Sequence, residues 1–261
     1  MKKIYLNLPS VLFFIFMLLP IISQAAHPLI TDDTGTQGKG KFQLEVNTEF
    51  GFDKETDNQV TAKETGAEVS AVVSYGIKDG IDVVLGLPYR WIEVKENGVV
   101  TTDADGISDL SLELKWMFFE NKTLSFALKP GLIVPTGDEE KGLGSGRAAY
   151  SLFFIATKPV GPLGLDFNLG YIRNENKVDE RKDLWHASLA VQIDISKKIK
   201  LVANIIMDSN PDKASDTDPA VILGGFIFSV LKNLDLDVGV KGGLNHTAMD
   251  YAILAGIAYR F

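Results

Sequence analysis

The chain contains no cysteine. Disulfide staples, thiol nucleophiles, cysteine metal sites and a lipid anchor on an N-terminal cysteine are all excluded. Histidine is scarce, at three residues, and His27 and His246 stand isolated, so neither a metal nor a cofactor is expected. Positive charge is in deficit too. With 26 Lys and Arg against 34 Asp and Glu, the formal charge is −8, the wrong sign for a nucleic-acid partner. Beyond residue 25 no apolar run approaches the roughly 20 residues of a spanning helix. Helical periodicity is absent as well.

What is present begins with a leader. Lys2 and Lys3 precede an apolar stretch from Val11 to Ile22, followed by Ser23-Gln24-Ala25. A short positive region, a short apolar core and small residues at the cleavage site read as a secretory signal peptide over 1–25. Cleavage is expected after Ala25, with Ala26 as the neighbouring choice. Loss of the two lysines takes the formal charge from −8 to −10. About 235 residues remain, enough for one large domain.

The rest alternates. Phe42, Leu44 and Val46 interleave with Gln43, Glu45 and Asn47. Leu110, Leu112, Leu114 and Trp116 interleave with Ser111, Glu113 and Lys115. Period-two patterning is the mark of strands with one apolar face. Twelve such segments are predicted, at 41–52, 66–77, 81–91, 107–118, 124–134, 148–158, 163–172, 184–195, 199–207, 219–230, 234–242 and 250–261. Their lengths suit the roughly 9–11 residues of a tilted strand crossing a bilayer. Tight turns such as Lys78-Asp79-Gly80 take turns with longer polar loops near 53–65, 92–106, 135–147, 173–183, 208–218 and 243–249. An even strand number with short and long links alternating predicts an all-β fold: a single antiparallel up-and-down transmembrane β-barrel over 41–261, termini on the periplasmic side. Residues 26–40 are polar, Gly-rich and long enough to fold back into the periplasmic mouth as a plug. Pro88 and Pro130 fall inside predicted strands of a barrel with no free edge, so bulges are expected there.

A soluble lipocalin-like barrel alternates as well, but buries its apolar face. Aromatic residues at strand ends, including all three tryptophans, fit the girdles of a membrane barrel instead. The chain end agrees. Gly256, Tyr259 and the terminal Phe261 resemble the C-terminal signal by which outer-membrane barrels engage their assembly machinery. Leu254 departs from that signal, which carries a polar residue there.

Three short patterns invite chemistry. Gly142-Leu-Gly-Ser-Gly-Arg147 lacks the spacing of a phosphate loop and precedes a strand, so a flexible outer loop is expected. Asp208 to Asp218 opens like a calcium loop, but Lys213 and Pro219 occupy the positions that need glycine and a bidentate glutamate. Loose divalent binding beside lipopolysaccharide is all that remains. His186 and Ser188 share an inward face, yet residues two apart on a strand lie about 7 Å apart and no third member is evident, so no catalytic residues are expected.

Several stretches resemble a family of bacterial outer-membrane barrels labelled transporter-like or phenol meta-pathway degradation proteins. They are His27-Pro-Leu-Ile-Thr-Asp-Asp33, Pro135-Thr-Gly-Asp138 with Gly142 to Arg147, Asn168-Leu-Gly-Tyr171, Leu236-Asp-Val-Gly239 and Gly256 to Phe261. The resemblance implies a barrel and a transport role without naming a substrate.

The expected function is passive passage of small molecules, apolar or aromatic ones included, through a narrow lumen in the outer membrane. The alternative is a structural or surface-loop binding barrel that transports nothing. The side chains expected to line the lumen are Arg90, Asp109, Glu113, Lys115, Lys129, Asp166, Asn168, His186, Asp237 and Lys241. Pairing of Arg90 with Asp109, and of Glu113 with Lys129, is expected. The partners are membrane lipid and lipopolysaccharide, the barrel assembly machinery and a small solute.

Overall fold

The computed structural model describes residues 27–57 and 60–261. The signal peptide and both cleavage positions lie outside the described residues. Among the described residues thirteen strands follow one another: β1 (Phe42–Asp57), β2 (Val60–Lys78), β3 (Ile81–Glu96), β4 (Val99–Ile107), β5 (Leu110–Glu120), β6 (Ser125–Val134), β7 (Ala149–Val160), β8 (Leu163–Arg173), β9 (Asp183–Ser196), β10 (Ile199–Asp208), β11 (Ala220–Leu231), β12 (Leu234–Gly243) and β13 (Tyr251–Arg260). Each strand pairs antiparallel with its neighbours, and β1 pairs with both β2 and β13. With β2 also joined to β3, the sheet closes on itself. The barrel has twelve strand positions, because β4 and β5 share one. The lower part of β3 pairs with β5 and its upper part with β4.

The described residues of the segments predicted as loops at 53–65 and 92–106 are strands instead, apart from the turn at Asn97-Gly98. There β1 to β4 rise above the rest of the wall, joined at the top of β3–β4 by Asn97 (φ 49°) and Gly98 (φ 86°). Positive φ at both central positions matches the right-handed twist of the flanking strands, which is why Asn-Gly favours a two-residue hairpin. On these extensions the outward positions turn polar, with Lys54 and Thr56 following Phe52 on β1 and Glu93 and Lys95 following Trp91 on β3.

Pro130 is accommodated without a bulge, but the bulge expected at Pro88 is present on the partner side: three steps of β3, from Tyr89 to Gly86, face four, from Ile107 to Ser111. Within single strand pairs of this part of the wall the register shifts fall between Gly76 and Lys78, between Val94 and Lys95 and between Met117 and Phe119. Pro88 sits where β4 gives way to β5. Its carbonyl accepts from the Ser108 amide at 2.9 Å, and the missing N–H of Pro88 would face the Ser108 carbonyl. The Thr136 hydroxyl donates to that carbonyl instead, at 2.8 Å. Pro130 lies across from Leu114, where the β5–β6 ladder skips from Glu113↔Gly131 to Trp116↔Leu128 without changing register.

The wall is apolar outside and polar within. Leu112 is 45% exposed and faces outward with Leu114, Leu152, Leu169, Ile205, Val238 and Ile253. Asp166 is fully buried inside, among Thr157, Asn168, Gln192 and Asn204. A soluble barrel of this patterning would do the reverse. Aromatic pairs stand near both ends of the strands: Phe52 with Tyr251 and Tyr171 with Trp185 above, Phe42 with Tyr75 and Tyr259 with Phe261 below. Outward leucines flanked by aromatic rings are what a lipid-facing wall requires.

Candidate functional site: the barrel interior

Residues 27–40 run inside the barrel and bond to the wall strand by strand. His27 Nδ1 meets Asp237 Oδ1 of β12 at 2.5 Å. The amides of Ile30 and Thr31 both donate to Asn204 Oδ1 of β10, at 2.9 and 3.0 Å. Asp32 and Asn168 of β8 exchange two bonds, amide to Oδ1 at 2.8 Å and Nδ2 to carbonyl at 2.7 Å. The Thr34 amide donates to Thr157 Oγ1 of β7 at 3.0 Å, and Gln37 N donates to Asp82 Oδ2 of β3 at 2.8 Å. Buried backbone groups need partners. Here the amides of an irregular segment find them in side chains that a strand can project inward.

Small residues on the wall make the space. An added Cβ at Gly225 or Gly239 would sit 2.8 or 2.9 Å from the Pro28 ring. At Gly256 it would lie 2.6 Å from both His27 Nδ1 and Asp237 Oδ2. Leu29 completes this side of the interior, packing with Ala190, Val202, Leu223, Ile227, Ala252 and Leu254. That contact accounts for the apolar residue at 254, where the chain-end pattern has a polar one.

An ionic cluster holds the middle of the segment. Lys115 Nζ lies 2.8 Å from Asp32 and 3.5 Å from Asp33. Lys129 Nζ lies 3.1 Å from Asp32 and 3.4 Å from Glu113, so the expected Glu113–Lys129 contact forms. The expected Arg90–Asp109 contact does not. Arg90 Nε binds Glu68 Oε2 at 2.6 Å. Asp109 accepts from the amides of Gly137 and Ser145 and from the Ser145 hydroxyl, at 2.8–2.9 Å. The loop 135–147 is thereby pulled inward, with Leu143 buried and its carbonyl bonded to Ser108 Oγ at 2.6 Å. A loop bound at both motifs replaces the loose one expected from its glycines.

The space left over is off-centre. An inner cavity of about 250 Å³ lies between the N-terminal segment and the wall of β1, β2, β3 and β5, lined by Gln43, Glu45, Asn47, Asp82, Lys115 and Lys129 among others. An outer cavity of about 440 Å³ lies above it, lined by Glu68, Ser70, Arg90, Asp109, Ser111 and the folded-in loop. Val72, Val84 and Glu113 line both. Of the ten residues named from sequence, Arg90, Asp109, Glu113, Lys115 and Lys129 border a cavity. Asp166, Asn168, His186, Asp237 and Lys241 point inward on the filled side, bonded to Thr157 and Gln192, to Asp32, to Ser188 and Asp208, to His27 and to Glu49. Asp82 and Glu45 were absent from that set, although alternation with Val83 and Leu44 already put them on the inward face.

His186 has more company than the sequence suggested. Its Nε2 meets Ser188 Oγ at 2.8 Å and its Nδ1 meets Asp208 Oδ1 at 2.7 Å. The bonding order is that of a hydrolytic triad. However, Ser188 is buried and borders neither cavity, and the Phe153 ring packs on the imidazole at 5.4 Å. Acyl transfer needs space for a carbonyl and donors aimed at its oxyanion. Strand amides beside Ser188 are committed to the β8 and β10 ladders.

A family model described as "Putative MetA-pathway of phenol degradation" matches residues 31–261. The chain belongs to this family. Solved structures share its barrel. An outer membrane channel from Pseudomonas putida F1 is 13% identical, with a TM-score of 0.67 over 88% of this chain and 98% of that one. The KdgM porin, solved in complex with disordered oligogalacturonate, is 8% identical with a TM-score of 0.57 over 84% and 99%. The translocator domain of the autotransporter NalP from Neisseria meningitidis is 14% identical with a TM-score of 0.55 over 86% and 89%. A search of curated proteins found no match. At these identities the likeness is one of fold, the fold of outer-membrane barrels. Family membership and the inverted wall agree on the same architecture.

Proposed function

We propose that this family member is a passive outer-membrane channel for small solutes, narrowed by its own N-terminal segment. The observation that carries this reading is the pair of cavities meeting at Val72, Val84 and Glu113, which leaves one side of the lumen unfilled. A twelve-stranded barrel falls between those of about eight strands, filled by side chains, and those of about sixteen, with an aqueous channel. The segment 27–40 acts as a plug: residues 27–34 fill the β7–β13 side, residues 37–40 cross to β2 and β3, and the passage runs between the segment and β1–β5. The polar lining favours hydrophilic solutes over the apolar or aromatic ones that the sequence also allowed. Export proceeds by a cleaved signal peptide, and Gly256, Tyr259 and Phe261 address the chain to the assembly machinery. The outward apolar wall contacts membrane lipid, and the upper loops contact lipopolysaccharide.

One feature favours the non-transporting alternative: the ionic cluster around Lys115 and Lys129 bonds across much of the interior. Planar-bilayer recording of refolded protein separates the two. Discrete conductance steps are expected, and silent bilayers from folded protein would leave the structural reading standing.

A further inference from the structure

The passage is not electrically neutral. Its three cationic side chains are all matched: Arg90 by Glu68, Lys115 by Asp32 and Asp33, and Lys129 by Asp32 and Glu113. Four carboxylates that border the same space form no ion pair among the described residues. Asp109 and Glu180 bound the outer cavity, Glu45 and Asp82 the inner one. They accept only from neutral donors: Asp109 from loop amides and the Ser145 hydroxyl, Glu180 from Asn174 Nδ2 at 3.0 Å, Glu45 from Gln43 Nε2 at 2.5 Å, and Asp82 from the Gln37 amide.

Asp82 supplies a second and independent observation. The residue is 1% exposed, and its Oδ1 has no hydrogen-bond partner, while Oδ2 is taken by Gln37. Asn47, on the same cavity, also holds an unpartnered Oδ1. A buried carboxylate oxygen without a donor costs free energy unless a proton or a cation neutralises it. The cavity beside it has room for several waters or a hydrated ion.

We propose that the corridor along β2, β3 and β5 selects small monovalent cations, inorganic or ammonium, and that Asp82 Oδ1 marks its inner cation site. The inference rests on the channel reading above and adds the class of solute. In a narrow passage walled by low-dielectric material, unmatched charge of one sign raises the local concentration of the opposite ion. Acidic side chains lining a pore act in this way for cations. The lysines are engaged by Asp32, Asp33 and Glu113 in holding the plug, so they offset the four carboxylates only in part.

Reversal potentials across a KCl gradient test this with the full-length mature protein. Potassium is expected to pass several-fold more readily than chloride. Asp82→Asn is expected to lower that ratio. Glu180→Gln, on the accessible outer loop, is expected to lower it too, and serves if Asp82→Asn fails to fold. A chloride preference, or a ratio near one in the native protein, overturns the cation assignment while leaving a channel in place. Native crystals soaked in rubidium or in bromide give a readout that needs no conductance. A rubidium peak beside Asp82 is expected. Bilayers that stay silent while rubidium binds would remove the channel and keep the cation site. Bromide binding there, or no ion at all, would overturn the site itself.

Discussion

Lys115 of β5 reaches 2.8 Å from Asp32, across 83 residues of sequence, and so ties the N-terminal segment to the opposite wall. Both groups leave bulk water to do so, and removing one member of a buried pair costs about 3–5 kcal/mol because the other stays unpaired. Lys129 at 3.1 Å partly compensates, and the adjoining cavity is lined by polar side chains, so the lower end of that range is expected for Lys115→Met. The variant should keep its barrel, since the wall hydrogen bonds are untouched. Its N-terminal segment should become cleavable by an added protease, which mass spectrometry of the folded protein detects. An equally resistant segment would show that the pair does not hold it.

Leu112 and Glu113 are neighbours in sequence with opposite surroundings. Leu112 is outward and exposed, whereas Glu113 lies 3.4 Å from Lys129 on the inside. Arginine on the lipid face near the midplane costs roughly 2–4 kcal/mol. Leu112→Arg is therefore expected to reduce the fraction that migrates as folded protein before heating, and Glu113→Gln to leave it near native. Reversed outcomes would mean that the wall is inside out, because side chains alternate strictly.

Thr136 substitutes for the N–H that Pro88 lacks. Its hydroxyl donates to the Ser108 carbonyl and accepts from the Leu110 amide at 3.1 Å. Thr136→Val keeps the shape and removes both bonds, for an expected loss of about 1–3 kcal/mol. A lowered urea midpoint measures it. Thr136→Ser should restore most of the difference, and an unchanged midpoint for Thr136→Val would show that water fills the role.

Acid should loosen the outer loops. Hydrogen bonds from Lys177 to Glu139, from Lys182 and Arg173 to Glu175, and from Lys213 to Asp179 hold those carboxylates below their usual range. A carboxylate with a lowered folded value adds stability that is fully present above its ordinary value. That stability is lost as pH falls through the lowered one. Hydrogen exchange of residues 139–146 and 174–182 should accelerate below about pH 4, the ordinary carboxylate value, while the strands stay protected. Loop exchange that stays unchanged into that acid range would argue that backbone bonds alone hold the loops.

Much of the barrel was legible in the sequence because lipid imposes a rule on every second residue. All twelve predicted strands are present, and the tight turns fall where expected. The rule lapses above the membrane. Val60 to Thr65 and Ile92 to Glu96 are strand, but Glu93 and Lys95 follow Tyr89 and Trp91 on the outward face, so the apolar stripe stops where the strand goes on. The Asn97-Gly98 dipeptide was the signal that could have revealed that hairpin. Arg90 was given the wrong partner because only the 81–91 and 107–118 pair was weighed, whereas Glu68 stands directly across from Arg90 in the β2–β3 ladder. Asp208 joins His186 through strand register, and Asp109 engages a loop more than 25 residues away. Neither contact is encoded in local spacing.

The central claim is that the segment 27–40 limits passage through an otherwise conducting barrel. Thr34 Oγ1 and Ser125 Oγ stand 2.5 Å apart, joining that segment to β6. The chain has no cysteine, so Thr34→Cys with Ser125→Cys introduces the sole thiol pair. Single-channel conductance of this variant, oxidised and then reduced in the same bilayer, tests the claim directly. Small steps are expected while the disulfide holds, with larger or more frequent openings after reduction. Identical traces in the two states, or none in either, would contradict it.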